Sequence, residues 1–187
     1  MMGEMDDSRI EFIQFHQNYS YEDFIMGYKP QEEGFKLTNG IFYQFCMNAA
    51  NHPDKEYFFI IDEINRGEAS KIFGELFYAI DPGYRGKKDH LVQTQYQNLV
   101  PETDVFAKGF YVPENVYILA TMNDIDRSVE SMDFAMRRRF TWKEVTPVDT
   151  ESMLDSLPCA KEAKETMSRL NNAIADTDGL GAAYMII

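Results

Sequence analysis

The feature that most constrains this chain is an uninterrupted apolar run that stops at two acids, YFFIIDEINR at residues 57–66. Every position from Tyr57 to Ile61 is aromatic or β-branched, and polar and apolar side chains do not alternate. Such a run predicts a strand buried on both faces of a parallel sheet. Asp62 and Glu63 then fall at the carboxyl end of that strand, where open α/β sheets place their ligands.

The rest of the chain alternates strand and helix patterns, which predicts an α/β fold with a mainly parallel sheet. Further strands are predicted at residues 9–15, 115–121 and 140–145. Helices are predicted from a cap at Ser20, then at residues 41–49, 68–80, about 128–138 and 150–175. Residues 27–38 predict a loop, and short strands at 91–96 and 110–112 predict a hairpin insertion over about 86–113.

Composition and charge narrow the environment and the partners. A net charge of −13 disfavours tight binding of phosphate backbones by the bulk surface. Cys46 and Cys159 lack the spacing of a zinc site or a disulfide framework, which favours a reducing compartment. The acidic first residues do not form a signal peptide, and no apolar stretch approaches membrane-spanning length. We therefore expect a soluble, cytoplasmic domain without membrane partners.

Polar residues at two strand ends indicate phosphoryl-transfer chemistry. In phosphate-loop nucleoside triphosphatases, the first acid of a strand-end pair holds Mg²⁺ and the second orients the attacking water. Asp62 and Glu63 fit these roles, although strands often end in polar residues for no catalytic reason. Asn123 follows the second buried strand, at the sensor-1 position, where an amide can hold the water or the γ-phosphate. It could equally cap a turn.

A run of arginines follows these strands, at residues 137–139 in MDFAMRRRF. Three successive arginines at a helix end could be a solvated face that favours the helix dipole. Phosphoryl transfer also needs a cation aimed at the γ-phosphate, which oligomeric enzymes often take from a neighbouring subunit. Both interpretations stay open on the residues alone.

Several segments together resemble the McrB family of AAA+ proteins, the NTPase subunits of methylcytosine-dependent restriction systems. The resemblance rests on FFIIDEINRG, SKIFGEL, VPENVYILATMNDIDRS and MDFAMRRRF, in that order. FHQNYSYEDFIMGYKP and GLGAAY are similar to the same family, so the likeness runs from about Ile10 to Tyr184.

The resemblance implies a role for each candidate residue. Asp62 would bind Mg²⁺, Glu63 would activate water, and the substrate would be GTP or ATP. Asn123 and Asp126 match the Asn-x-x-Asp of the family's MNTADRS signature, which is associated with GTP. The departures at residues 124 and 125 put the guanine preference in doubt. Arg138 would be the finger that acts on a neighbouring subunit, with Arg137 and Arg139 as second choices.

The resemblance also implies a partial AAA+ fold, a three-layer sandwich with the sheet order 5-1-4-3-2. Residues 1–147 would form the core from strand 2 onward, and residues 148–187 a truncated helical lid. The G-x-x-x-x-G-K-[ST] phosphate loop is not present in the sequence. Without the strand before that loop, the strand at 115–121 would have an open edge. The sequence could be a fragment of a longer gene product, a deliberately truncated protein or a degenerate gene.

Three functions remain possible on the sequence. The first is an McrB-like NTPase module that works in a homo-oligomeric ring with an McrC-like nuclease subunit and meets DNA only through another domain. The second is a catalytically silent AAA+-like fragment that acts as an assembly or interaction module. The third, a different Mg²⁺-dependent hydrolase, is disfavoured because no further acidic ligands cluster near Asp62 in the sequence.

Overall fold

The computed structural model describes residues 7–87, 89–123 and 134–186. The strands in these ranges are β1 (Ile10–Gln14), β2 (Met26–Gln31), β3 (Gly34–Asn39), β4 (Tyr57–Asp62) and β5 (Val116–Ala120). The α-helices there are α1 (Tyr21–Phe24), α2 (Ile41–Asn51), α3 (Ala69–Phe73), α4 (Leu76–Ala79), α5 (Phe134–Arg137), α6 (Pro147–Thr150) and α7 (Ala160–Ala175). The chain divides into two compact units, residues 1–140 and 141–187.

A parallel sheet forms the centre of the first unit. Its order is β1-β4-β5, and both pairings are parallel, so the predicted α/β class is confirmed. The strands predicted at 9–15, 57–61 and 115–121 are all present, with bounds that differ by a residue or so. In the described ranges β5 pairs with β4 alone, so its other edge is open, as the sequence suggested.

Burial in β4 alternates instead of extending to both faces. Tyr57, Phe59 and Ile61 are buried, whereas Phe58 and Ile60 are half-buried. The expected burial is therefore met on one face only, because the helices pack there. Phe59 lies in an aromatic cluster, with ring centroids 4.9 Å from Phe42, 5.1 Å from Phe45 and 5.9 Å from Phe24.

The helices that cover this face are preceded by N-cap residues that suit their local contacts. The N-cap of α1 is the predicted Ser20, whose hydroxyl accepts a hydrogen bond from the Asp23 amide at 3.3 Å. The N-cap of α2 is Gly40 and not the predicted Thr38 or Asn39. A Cβ at Gly40 would lie 2.4–2.6 Å from backbone atoms of the preceding helix end, so only glycine fits that close approach.

The real hairpin is not the predicted one. Residues 27–38, predicted as a loop, form most of the antiparallel pair β2–β3, which is in register from Met26↔Asn39 to Gln31↔Gly34. The predicted strands at 91–96 and 110–112 are reduced to one bridge, Val92↔Phe110. Buried aromatic side chains, not strand pairing, anchor that insertion, since the rings of Phe106 and Phe110 both contact Tyr43.

Two other elements of the structure also differ from the sequence-based prediction. The helix predicted over 68–80 is two short helices, because Gly74 adopts a positive φ of 50° between α3 and α4. The strand predicted at 140–145 is wrong, since residues 141–146 have no regular structure and Thr146 opens α6 through a capping box with Asp149. Of the helix predicted at about 128–138, residues 128–133 lie outside the described ranges.

The second unit is helical. A 3₁₀ turn at Glu151–Ser156 precedes α7, so the predicted helical stretch 150–175 is confirmed apart from that turn and the residues that join it to α7. The buried side chain of Asn171 exchanges two hydrogen bonds with the backbone of Ile186, at 3.0 and 2.7 Å. Among the described helices of the chain, none combines the length and apolar character needed to cross a membrane.

Candidate functional site

Parallel register places polar residues side by side at the carboxyl edge of the sheet. Gln14 pairs with Asp62 across β1 and β4. Ile61 pairs with Ala120 across β4 and β5, so Thr121 comes next to Asp62. The Thr121 amide donates to the Ile61 carbonyl at 2.9 Å, which continues the ladder beyond β5. The three strand ends therefore form a short polar row centred on Asp62.

Both carboxylate oxygens of Asp62 accept hydrogen bonds within this row. The Thr121 hydroxyl donates to Oδ1 at 2.6 Å, and the Gln14 side-chain amide donates to Oδ2 at 2.9 Å. A carboxylate held at both oxygens has a fixed orientation, yet each oxygen keeps a lone pair for a ligand. This geometry suits an acid that must present one oxygen to a metal ion.

Glu63 has a left-handed backbone, with φ 54° and ψ 48°. It is the non-glycine residue with positive φ in the described part of the chain, and this conformation costs about 1–2 kcal/mol outside glycine. The Glu63 amide donates to the Thr121 hydroxyl at 3.1 Å. Its carboxylate lies 3.2 Å from Nε of Arg66. Strain of this kind at a strand end is typical of functional sites.

A buried acceptor oxygen stands beside these acids, on Asn65. Asn65 is 6% exposed, and its side-chain amide donates to the Asn123 carbonyl at 3.0 Å. Its Oδ1 has no hydrogen-bond donor among the described residues, whereas the buried Oε2 of Glu63 is paired with Nε of Arg66 at 3.2 Å. A buried acceptor without a donor is costly, so Oδ1 of Asn65 points to water or a cation in the functional state.

These oxygens fit a hard cation. Mg²⁺ binds oxygen ligands and usually takes one or two carboxylates, with waters and substrate phosphates in its other positions. Asp62, with Asn65 and Glu63 nearby, supplies that chemistry. Within the described residues no group of three or more His, Cys, Asp or Glu side chains is placed to hold a metal.

Of the two predicted nucleotide-contacting residues Asn123 and Asp126, the structure describes only Asn123. Asn123 lies just beyond β5 and is exposed, and its main chain is tied to Asn65. The structure thus connects Asn123 to the turn that carries the acids. Asp126 lies outside the described residues, so its role stays a prediction.

The arginine run contains one anchored and two exposed side chains. Arg139 has a side chain 9% exposed, donates from Nε to the Phe77 carbonyl at 2.7 Å and stacks 4.1 Å above the Phe77 ring. It also donates to the carbonyl of Ala135. Arg137 and Arg138 are exposed. Arg139 therefore joins α5 to α4, which makes it a poor choice for a residue that reaches a neighbouring subunit.

Three residues of the site, Gln14, Thr121 and Asn65, are not singled out by the sequence patterns. Gln14 was visible as the polar end of a predicted strand, and Thr121 as the last residue of another. What the sequence did not show was the register that brings both to Asp62. Asn65 lies in a segment predicted as a turn, and its side chain contacts Asn123, which is 58 residues away and just beyond β5.

This chain is similar to a known domain family and to components of two restriction systems. The family of AAA domains of the dynein-related subfamily matches residues 2–140. A type IV methyl-directed restriction enzyme subunit, EcoKMcrB of Escherichia coli K12, is 46% identical over 147 residues, which cover 79% of this chain and 30% of that subunit. The BsuMI component YdiS, a type II restriction enzyme component from Bacillus subtilis 168, is 28% identical over 70% of this chain and 46% of its own length.

A solved structure of a candidate ATPase from Cytophaga hutchinsonii covers 87% of this chain and 47% of its own, with a TM-score of 0.42 and 14% identity. That likeness is too slight to bear on the assignment. The chain spans less than half the length of either restriction-system relative. The predicted resemblance to McrB is confirmed by the family match and by the 46% identity. The chain therefore belongs to the AAA domain family, within its dynein-related subfamily.

Proposed function

We propose that this chain is the NTPase module of an McrB-like restriction subunit and that it hydrolyses GTP or ATP with Mg²⁺. The observation that carries the proposal is the Asp62–Glu63 turn. One acid is fixed at both oxygens, and the other stands on a strained backbone beside a buried acceptor that lacks a donor, Oδ1 of Asn65. Identity of 46% to the EcoKMcrB subunit supports the choice among AAA functions.

Each residue would have a defined task in that reaction. Bound Mg²⁺ would neutralise charge on the transferring phosphoryl group. Asp62 would hold the ion through the oxygen lone pairs left by Thr121 and Gln14. Glu63 would orient the attacking water and accept its proton, which requires its carboxylate to turn from Arg66 toward the water. The Asn123 amide would contact the water or the γ-phosphate.

The finger role falls to Arg138 in this proposal. Arg139 is held by Phe77 and is nearly buried, so extending it would break a hydrogen bond and a cation–π contact. Arg138 is exposed, and no side-chain contact is recorded for it among the described residues. Arg137 is exposed as well and stays the second choice. Asp126 would contact the nucleotide.

The partners belong to the proposal too. The 187 residues contain no G-x-x-x-x-G-K-[ST] loop, so we propose that a segment outside this sequence binds the phosphates. The working form would be a homo-oligomeric ring in the cytoplasm with an McrC-like nuclease subunit. A net charge of −13 agrees with contact to DNA through another domain.

A second candidate, a catalytically silent assembly module, draws on two observations. The phosphate loop is not in the sequence, and β5 has an open edge in the described sheet. Such an edge can pair with another chain. In this alternative Asp62 and Glu63 would be inherited residues with no nucleotide to act on.

Titration of the purified protein with labelled GTP and ATP in Mg²⁺ separates the two candidates. With the proposed phosphate-binding segment present, on the same chain or added separately, the NTPase proposal expects micromolar binding that Asp62→Asn weakens. Asp54→Asn is the matched control, because it removes an exposed acid from the turn after α2. Binding that both variants leave intact would remove Asp62 from the site. No binding at millimolar nucleotide would favour the silent module.

A further inference from the structure

We infer that Thr121 is a positioning residue that orients both acids of the turn through a single hydroxyl. The inference rests on the proposed function, since it assigns a role within the same site. It concerns a residue that the sequence patterns did not single out. Its basis is a pair of hydrogen bonds to two consecutive acidic residues.

The hydroxyl group of Thr121 makes two contacts with opposite roles. It donates to Oδ1 of Asp62 at 2.6 Å and accepts from the Glu63 amide at 3.1 Å. A hydroxyl has one proton and two lone pairs, so both bonds can exist together. One side chain therefore fixes the carboxylate of Asp62 and the direction of the peptide that leads into Glu63.

The backbone of Thr121 contacts the same turn on both sides. Its amide donates to the Ile61 carbonyl at 2.9 Å, and its carbonyl accepts from the Ile64 amide at 2.9 Å. The hydroxyl is thus held in place over the left-handed residue Glu63. A side chain that satisfies an amide in this conformation favours that conformation over relaxed alternatives.

A role for the Thr121 hydroxyl in fold stability alone explains these contacts less well. Thr121 is exposed, so its hydroxyl is not needed to satisfy a buried polar group, and water could replace it. Gln14 offers a contrast within the same row, because its side chain contacts Asp62 but makes no recorded contact with Glu63. Variants of Gln14 and Thr121 therefore distinguish an effect on Asp62 alone from an effect on Asp62 and Glu63 together.

The experiment uses Thr121→Val, Thr121→Ser and Gln14→Leu in the full chain. Valine keeps the shape without the hydroxyl, whereas serine keeps the hydroxyl. The first readout is amide hydrogen exchange at Glu63, measured by NMR against the Ile64 amide as internal reference. The second is Mn²⁺ affinity from electron paramagnetic resonance titration with the metal alone. Thermal unfolding shows whether each variant is folded.

Thr121→Val should speed exchange at Glu63 and weaken Mn²⁺ binding, each by about tenfold, as expected for a lost hydrogen bond near a charged group. Thr121→Ser should restore both values. Gln14→Leu should weaken Mn²⁺ binding and leave exchange at Glu63 unchanged. A merely structural threonine would change the unfolding temperature without this pattern.

The result that overturns the inference is wild-type exchange at Glu63 in a folded Thr121→Val variant. Unchanged Mn²⁺ affinity in that variant would likewise remove the proposed effect on Asp62. Failure of the proposed function looks different. In that case the wild-type chain does not bind Mn²⁺, or Asp62→Asn binds it equally well, while exchange at Glu63 still decides whether Thr121 orients the turn.

Discussion

The two faces of the parallel sheet are built from the same strands but have different environments. On one face Phe59 is completely buried under α1 and α2. On the other, Phe12 is 61% exposed and Leu119 is 50% exposed. Both faces carry apolar side chains, so hydrophobicity alone does not distinguish them. Only one face is stabilised by other described parts of the chain.

The arginine run shows the same division between a packed and an open position. Arg139 points into contacts with Phe77, whereas its neighbour Arg138 is exposed. The acids lie at the carboxyl edge of the sheet, where the two faces meet. Residues on the packed side should therefore act through stability, and those on the open side through partners or substrate.

The largest expected effect tests the two faces directly. Phe59→Ala should lower the free energy of unfolding by about 3–5 kcal/mol, because it removes a fully buried ring from an aromatic cluster. Phe12→Ala, the matched change on the open face, should cost less than about 1 kcal/mol. Urea unfolding measures both. Similar losses for the two variants would mean that the open face is covered in solution.

The next effect concerns the two arginines. Arg139→Ala should destabilise the first unit by about 2 kcal/mol, through loss of a charged hydrogen bond and a cation–π contact. Arg138→Ala should change stability by less than about 0.5 kcal/mol, as is usual for an exposed side chain. Thermal unfolding of both variants checks this. A large loss from Arg138→Ala would show that it, too, is structural and would weaken its finger role.

Features determined by residues close together in the sequence could be predicted, whereas features that depend on distant residues could not. The strand at 57–61 and its acids could be predicted because an apolar run and its end are local patterns. The contacts of Asp62 with Gln14 and Thr121 could not, since they join residues 48 and 59 positions apart through strand register. Arg139 looked like its neighbours because its burial depends on contacts made 62 residues away.

The missed hairpin has a different cause. In β2 and β3 the two lysines, Lys29 and Lys36, lie opposite each other, and Pro30 pairs with Phe35. Charge and proline within a short segment are typical of loops, so the pattern at 27–38 predicted one. Pairing along the whole length of both strands prevailed over these local preferences.

At the edge between the faces, the strain at Glu63 allows a finer test. Glu63→Gly should be about 1 kcal/mol more stable than Glu63→Ala, because glycine adopts positive φ without a steric penalty. Both variants lose the same carboxylate and the same contact with Arg66, so their difference isolates the backbone. Chemical denaturation of the pair measures it. Equal stabilities would show that the left-handed turn relaxes in solution.

The smallest effect comes from a tyrosine on the packed side. Burial, followed by the negative charges of Asp23 and Glu11, raises the pKa of Tyr19 to about 12, and its ring stacks on Phe15. The folded state thus keeps the proton that the unfolded chain, with a pKa near 10, releases first. The contribution is complete below pH 10 and is lost as the pH rises toward 12. Because the side chain is only partly buried, the loss should stay below about 1 kcal/mol.

Tyr19→Phe isolates this contribution from the other tyrosines that titrate in the same range. Urea midpoints for wild type and variant should differ by a constant amount up to about pH 9, and wild type should then lose stability relative to the variant between pH 10 and 12. Parallel curves throughout that range would place Tyr19 in water and remove it from the packed face. The packed face would then end at Phe15, which is fully buried.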